Sequence, residues 1–204
     1  MPTKHIVKSF DAPAYYHVYN RASGERKLFR DNQDRQYFLD LLRAHLLEVP
    51  SEQSELERAD IRKYDLNIVA FCLMGNHFHL LLFQHQDPDA MTGYMRSVST
   101  KYSMYYNKKY KSKGHVFQSS YRASLINKEA YLAHITRYIH LNPRLWESWQ
   151  WSSYQAYINK LKLDWVHPEL VLSHGPRQYE SFVKEYDNID LRTMRKELHE
   201  MIAT

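Results

Sequence analysis

One cysteine, Cys72, stands in a chain of 204 residues. That excludes an internal disulfide framework and fits a reducing compartment. With no cysteine pair there is no Cys-based zinc pattern either. Glycine is scarce at five residues, and no Gly-rich phosphate loop can be assembled from them. No apolar run approaches the length of a membrane span, and Met1-Pro2-Thr3-Lys4-His5 lacks the apolar region of a signal peptide. The expectation is a cytoplasmic protein with no membrane partner. Internal repeats and low-complexity tracts are absent too. The most informative lack is of acidic residues: from Ala90 to Lys128 there is none, while eight Lys or Arg fall in that stretch. A solvated helix face normally mixes both signs, so this asymmetry favours a phosphate-bearing partner.

What is present fits one globular domain with a small appendage. Hydrophobic residues make up 44% and charged residues 25%, ordinary values for a chain able to bury a core. A net charge of +5 points the same way as the acid-free stretch, toward an anionic partner. The 17 tyrosines suit stacking and phosphate contact at nucleic acid, although most must serve the core.

Read in order, residues 14–20 are aromatic and β-branched and predict a first strand. Residues 21–27 follow as a basic loop carrying Arg21, Arg26 and Lys27. Asp31 is a good N-cap for a helix whose apolar stripe is Phe38, Leu39, Leu42 and Leu46, ending near Pro50. Residues 51–60 read as a polar loop or short exposed helix, and 65–73 as a second strand containing Cys72. Residues 88–113 are helical by pattern, with Met91, Tyr94, Met95, Val98, Tyr102 and Tyr105 near one face. A further strand falls within 116–126. Asn127 is a plausible N-cap for a helix over 128–142, with a stripe of Leu132, Ile135 and Ile139. Tyr138 and Asn142 lie one turn apart on the border of that stripe, and Pro143 stops the helix. The Trp- and Tyr-rich segment 144–157 predicts packing. Beyond it, residues 179–186 and 192–202 read as short helices of an accessory tail.

The chain is organised around Met74-Gly75-Asn76-His77-Phe78-His79-Leu80-Leu81-Leu82-Phe83. Gly75-Asn76 is a turn signal between two strands, so an antiparallel hairpin is expected. Alternation on the second strand places His77, His79, Leu81 and Phe83 on one face and Phe78, Leu80 and Leu82 on the other. Two imidazoles so placed can hold one cation between them. With 12 histidines in the chain, such a pair also arises readily by chance.

Five motifs in order carry a resemblance. They are Tyr16-His17-Val18-Tyr19-Asn20-Arg21, Met74 to Leu82, Phe117-Gln118-Ser119-Ser120-Tyr121-Arg122, Tyr138-Ile139-His140-Leu141-Asn142-Pro143 and Trp151-Ser152-Ser153-Tyr154. Together they resemble the single-tyrosine HUH transposases, and within them the REP-associated tyrosine transposases. The likeness implies an α+β fold: a ferredoxin-like (RRM-like) antiparallel sheet with helices on one face, as a catalytic domain over 1–157, with 158–204 a small helical extension. It implies cleavage and rejoining of single-stranded, hairpin-bearing DNA through a 5′-phosphotyrosine. By position, Tyr138 would be the nucleophile, and His77, His79 and Asn142 the ligands of a divalent metal, Mg²⁺ or Mn²⁺. Gly75 stands where the family often has proline, and Phe117 where tryptophan is common.

The chemistry suits these residue types. A phosphodiester anion repels nucleophiles until a cation neutralises its oxygens. A phosphotyrosine conserves the diester's energy, so strands can be rejoined without a nucleotide cofactor. The DNA path expected from the charge pattern comprises Arg21, Arg26, Lys27, Lys101, Lys108, Lys109, Lys111, Lys113 and Arg122, in a monomer or homodimer. Two other functions compete. A non-catalytic RRM-like module would bind nucleic acid on its sheet without metal or a particular tyrosine. A water-using metal nuclease would need metal but form no covalent adduct. Tyr102, Tyr105, Tyr106, Tyr110 and Tyr131 are rival nucleophiles, and His17, His134 and His140 are expected to be structural.

Overall fold

The computed structural model describes residues 10–46, 61–172 and 175–186, with Thr193 and Lys196 singly. The polar stretch 51–60 and the helix expected over 192–202 therefore lie outside the described residues, those two positions apart. Elements follow the order β1 (Ala14–Arg21), α1 (Asn32–Ala44), β2 (Leu66–Leu73), β3 (His77–Gln84), α2 (Ala90–Lys109), β4 (Arg122–Ile126), α3 (Glu129–His140), α4 (Tyr154–Tyr157) and α5 (Pro176–Lys184). The four strands form one antiparallel sheet in the order β2-β3-β1-β4. That is the ferredoxin-like arrangement of a split β-α-β unit, as expected.

Local chemistry sets the elements. Asp31 caps α1 in a capping box: its carboxylate accepts from the Asp34 amide at 2.9 Å, and the Asp34 carboxylate reaches back to the Asp31 amide. The Gly75-Asn76 turn closes β2 onto β3 through the Met74 amide donating to the His77 carbonyl at 2.8 Å. The loop after β1 pins this turn from outside. Ala22 N–H donates to the Asn76 carbonyl at 2.8 Å, and Phe29 N–H to the Gly75 carbonyl at 3.1 Å. Gly75 lies outside the left-handed region and a side chain there would meet nothing, so what ties this residue down is the Phe29 bond to its carbonyl.

Three boundaries differ from expectation. Helix α2 ends at Lys109, before Gly114, because Lys111 turns into the left-handed region. Helix α3 begins after Lys128, whose side chain makes no cap, so Asn127 is not the N-cap. Helix α1 ends at Ala44, well short of Pro50.

The sheet is buried on both faces. Tyr16, Val18, Phe78, Leu80 and Leu82 meet α1 and α2 in one core with Phe38, Leu42, Tyr94 and Tyr102. "Helices on one face" holds for these two alone. The opposite face carries Cys72 and Leu81, and α3 lies across it with Leu132, Ile135 and Ile139 inward. An added layer of this kind follows from β2, which does not alternate: it is buried at every position, so it needs cover on both sides.

The segment after residue 157 packs onto both cores. Trp165 stacks on Phe71 at 5.3 Å between ring centroids, and Val166 bridges to Ile68. Helix α5 seats Tyr179 and Val183 behind α3. Its anchor is His140, fully buried, with Nδ1 2.7 Å from the Tyr179 hydroxyl and Nε2 2.8 Å from Ser153 Oγ. Burial pushes the His140 imidazole pKa down to about 3, so the ring is neutral. The buried Arg137 adds a second clamp, its guanidinium 3.4 Å from the Tyr186 ring centre and 4.0 Å from that of Phe182.

Candidate active site

The face of the sheet that α3 crosses brings the paired histidines and Tyr138 together. Cross-strand partners share a face, so the register places Tyr19 opposite His79, Arg21 opposite His77 and Arg122 opposite Tyr19 on this side. The Tyr138 ring stands edge-on to His79 at 5.4 Å and to His17 at 5.8 Å between centroids. The rings of His77 and His79 are 5.1 Å apart and mutually perpendicular. Tyr138 keeps 9% exposure, at the border expected of it.

Asn142 completes the group from the turn that ends α3. Its Nδ2 donates to the Tyr138 carbonyl at 3.1 Å, which turns Oδ1 toward His77 Nε2 at 3.3 Å. His77 Nδ1 lies 2.7 Å from Asn76 Oδ1. Both contacts are to amide oxygens, which only accept, so a neutral ring can donate to one of them alone; with the proton on Nδ1, at the shorter contact, Nε2 carries a lone pair. Two acceptors then face each other. Two donors at right angles on one cation at about 2.1 Å would sit about 3 Å apart, close to this spacing. The donor set therefore fits a small divalent cation held by His77 and Asn142, with His79 alongside. Among the described residues no three His, Cys, Asp or Glu side chains form a group that could hold a metal.

The rival tyrosines lie elsewhere. Tyr102 is fully buried in the α1–α2 core, where its hydroxyl donates to the Leu28 carbonyl at 2.6 Å. Tyr106 donates to the Lys27 carbonyl at 3.1 Å, and Tyr105 and Tyr110 bond Asp34. Tyr131 precedes Tyr138 by two helical turns, about 10 Å along α3. Tyr19 does reach the site, 5.8 Å from His79, and so does His17 at 5.1 Å. Sequence reading assigned neither to it, although Tyr19 and His17 alternate within one motif and their shared parity was available once β1 paired with β3.

The charge path divides. Arg26, Lys27 and the unanticipated Arg30 line an open groove of about 550 Å³ with Tyr106 and Ser112. The groove is built on the loop that grips the β2–β3 turn, at the His77 end of the sheet. Arg21 and Arg122 are exposed beside the histidines, and Lys108, Lys111 and Lys113 are exposed at the end of α2 and beyond it. Two further expected members are placed differently. Lys109 Nζ is committed to Asp31 at 2.8 Å and to the fully buried Asp34 at 2.7 Å, and its hydrogen bond holds the Asp31 carboxyl below the usual range. Lys101 acts on His45 at the far end of α1, where its charge helps lower the imidazole pKa after the larger effect of burial.

The sheet face an RRM uses for stacking bases is covered by α3, so a binding module of that kind is disfavoured. The paired histidines of a central strand and a tyrosine of the crossing helix thus meet on one face of a ferredoxin-like sheet. The sequence profile described as "Transposase IS200 like" matches residues 13–142. The chain belongs to that family of DNA-cleaving and DNA-joining enzymes. Among solved structures, one described as a REP-associated tyrosine transposase bound to a REP hairpin superposes with a TM-score of 0.55 at 11% identity, over 80% of this chain and 96% of that one. At that identity the match speaks for the shared fold. None of the curated proteins matches the sequence. Among the described residues no helix is long and apolar enough to cross a membrane.

Proposed function

We propose that this transposase cleaves and rejoins single-stranded, hairpin-bearing DNA through a 5′-phosphotyrosine at Tyr138, with a divalent cation held by His77, His79 and Asn142. The observation that carries it is the convergence of the Tyr138 ring, the His79 ring and the opposed acceptors His77 Nε2 and Asn142 Oδ1 on one sheet face. Mn²⁺ suits two imidazoles and an amide oxygen better than Mg²⁺, which prefers oxygen ligands, and either would serve.

A cation so held supplies neutralisation of the phosphate oxygens and polarisation of phosphorus. Tyr138 Oη attacks phosphorus, forming the Tyr–O–P bond as the bond to the 3′-oxygen breaks. The phenol proton leaves to solvent and the departing 3′-oxygen takes one up. Asn142, tied to the Tyr138 carbonyl, keeps the ligand and the nucleophile in one rigid turn. The second strand's 3′-hydroxyl reverses the same step, which restores Tyr138 and joins the new ends.

Arg21 and Arg122 flank the cleaved phosphate in this reading, Arg26, Lys27 and Arg30 guide the backbone along the open groove, and the exposed Lys108, Lys111 and Lys113 extend the path from the end of α2. The hairpin in the structurally similar transposase supports a hairpin as substrate here. A labelled hairpin library incubated with the protein and Mn²⁺ tests the proposal. The expected product is a denaturation-resistant protein–DNA adduct, absent in Tyr138→Phe. Cleavage without any adduct would mean a water nucleophile, and an adduct formed normally by Tyr138→Phe would mean another tyrosine, with Tyr19 first to examine.

A further inference from the structure

His17 lies on β1, a strand to which the proposed chemistry assigns no ligand, yet its ring meets that of His79 directly. Its Nε2 is 2.9 Å from His79 Nδ1, and both rings are buried, at 8% and 6% exposure. The two imidazoles stack with centroids 5.1 Å apart and planes 18° apart. His17 pairs with Leu81 across the ladder, so it reaches His79 along the diagonal, within the range of long side chains. Tyr138 then closes over both rings from α3.

A bond between two ring nitrogens needs one proton, carried by one ring and accepted by the other. If His17 donated, the neutral His79 would hold its own proton on Nε2 and could not offer that nitrogen to a cation. If His79 donates from Nδ1, its Nε2 carries the lone pair and His17 holds its own proton on Nδ1. Only the second arrangement is compatible with a ligand at His79.

We infer that His17 is a positioning residue: it accepts the Nδ1 proton of His79, fixing the tautomer and ring plane in which His79 Nε2 meets the cation. An outer partner of this kind also raises the basicity of the ligand, and its loss typically costs about 10- to 100-fold in metal affinity. The inference rests on the reading of His79 as a ligand, and the test separates the two.

Mn²⁺ binding is measured by the loss of the free-ion EPR signal for the full chain, wild type, His79→Ala, His17→Phe and His17→Gln, without DNA. His17→Phe keeps a ring in the stack and removes the acceptor, whereas His17→Gln keeps an acceptor. The expected result is a loss of about 10-fold or more in His17→Phe, recovery to within about threefold of wild type in His17→Gln, and unchanged thermal unfolding of both without metal. Nitrogen-15 spectra of the metal-free wild type add a readout that a merely structural role would not move: His79 should show its proton on Nδ1. Equal affinities in His17→Phe and wild type overturn the inference and leave the ligand reading standing, whereas a His79 proton found on Nε2 overturns the inference and counts against the ligand reading too. A wild type no tighter than His79→Ala overturns both. Should His17→Phe not fold, a His17→Gln affinity reduced 10-fold with its fold intact would equally overturn it.

Discussion

Replacing Lys109 by methionine separates structure from DNA contact more sharply than any other single change in the basic region. The ammonium bonds Asp31 Oδ2 at 2.8 Å, Asp34 Oδ1 at 2.7 Å and the Tyr105 hydroxyl at 3.1 Å. Asp34 is completely buried, so its carboxylate cannot recover hydration when the cation goes. Breaking a buried pair by removing one partner costs about 3–5 kcal/mol. The lower end applies, because Asp34 keeps the Arg30 amide at 2.8 Å and the Tyr110 hydroxyl at 2.7 Å as donors. About 3 kcal/mol is a large share of the roughly 5–15 kcal/mol that holds a domain folded. In a chain of this size it should lower Tm by roughly 10 °C. Urea and thermal unfolding of Lys109→Met, Asp34→Asn and the double variant check this, and the double-variant cycle should return a coupling of about 2 kcal/mol. Hairpin affinity measured against salt, at a temperature where the variant is folded, should keep the wild-type slope. A variant with unchanged Tm and a flattened slope would refute the reasoning and return Lys109 to the DNA path.

The remaining expectations concern the site, the path and pH. His77→Ala and His79→Ala should abolish cleavage while hairpin affinity changes by less than about threefold, measured by gel shift and adduct formation; normal cleavage by the double variant would remove the histidines from the metal site. Lys108→Glu combined with Lys111→Glu should flatten the slope of log affinity against log salt by roughly 1 to 2, since each phosphate contact contributes about 0.7 to 0.9. His140 gives a pH dependence whose sign is fixed by burial, which pushes its folded pKa down to about 3 against an ordinary value near 6.5. Below about pH 6.5 the unfolded chain binds a proton that the folded chain refuses, so this stability is complete above that pH. It is lost at about 1.4 kcal/mol per pH unit as pH falls toward 3. Denaturation midpoints of wild type and His140→Gln across pH 4 to 7 should converge as pH falls, and parallel curves would mean His140 is protonated in the fold.

Strand parity, the capped start of α1 and the buried stripe of α3 were legible in the sequence, because each depends on residues within a turn or a pleat of one another. Alternation alone put His77 and His79 on the face opposite Phe78, Leu80 and Leu82, and helical spacing alone put Asn142 one turn beyond Tyr138. The motifs in their order carried the family. Which charges and rings meet across the fold was decided by tertiary structure. Lys109 looks like its neighbour Lys108 until α2 packs against the cap of α1, and a buried carboxylate then claims one of the two. His17 looks structural until β1 pairs with β3 in the register that sets it beside His79. The tyrosines of α2 are removed from contention by the sheet itself, which stands between them and the histidines, while α3 crosses the other face and brings Tyr138 to the site. Local periodicity says which way a side chain points, but only the long-range register and the packing of layers say what it points at.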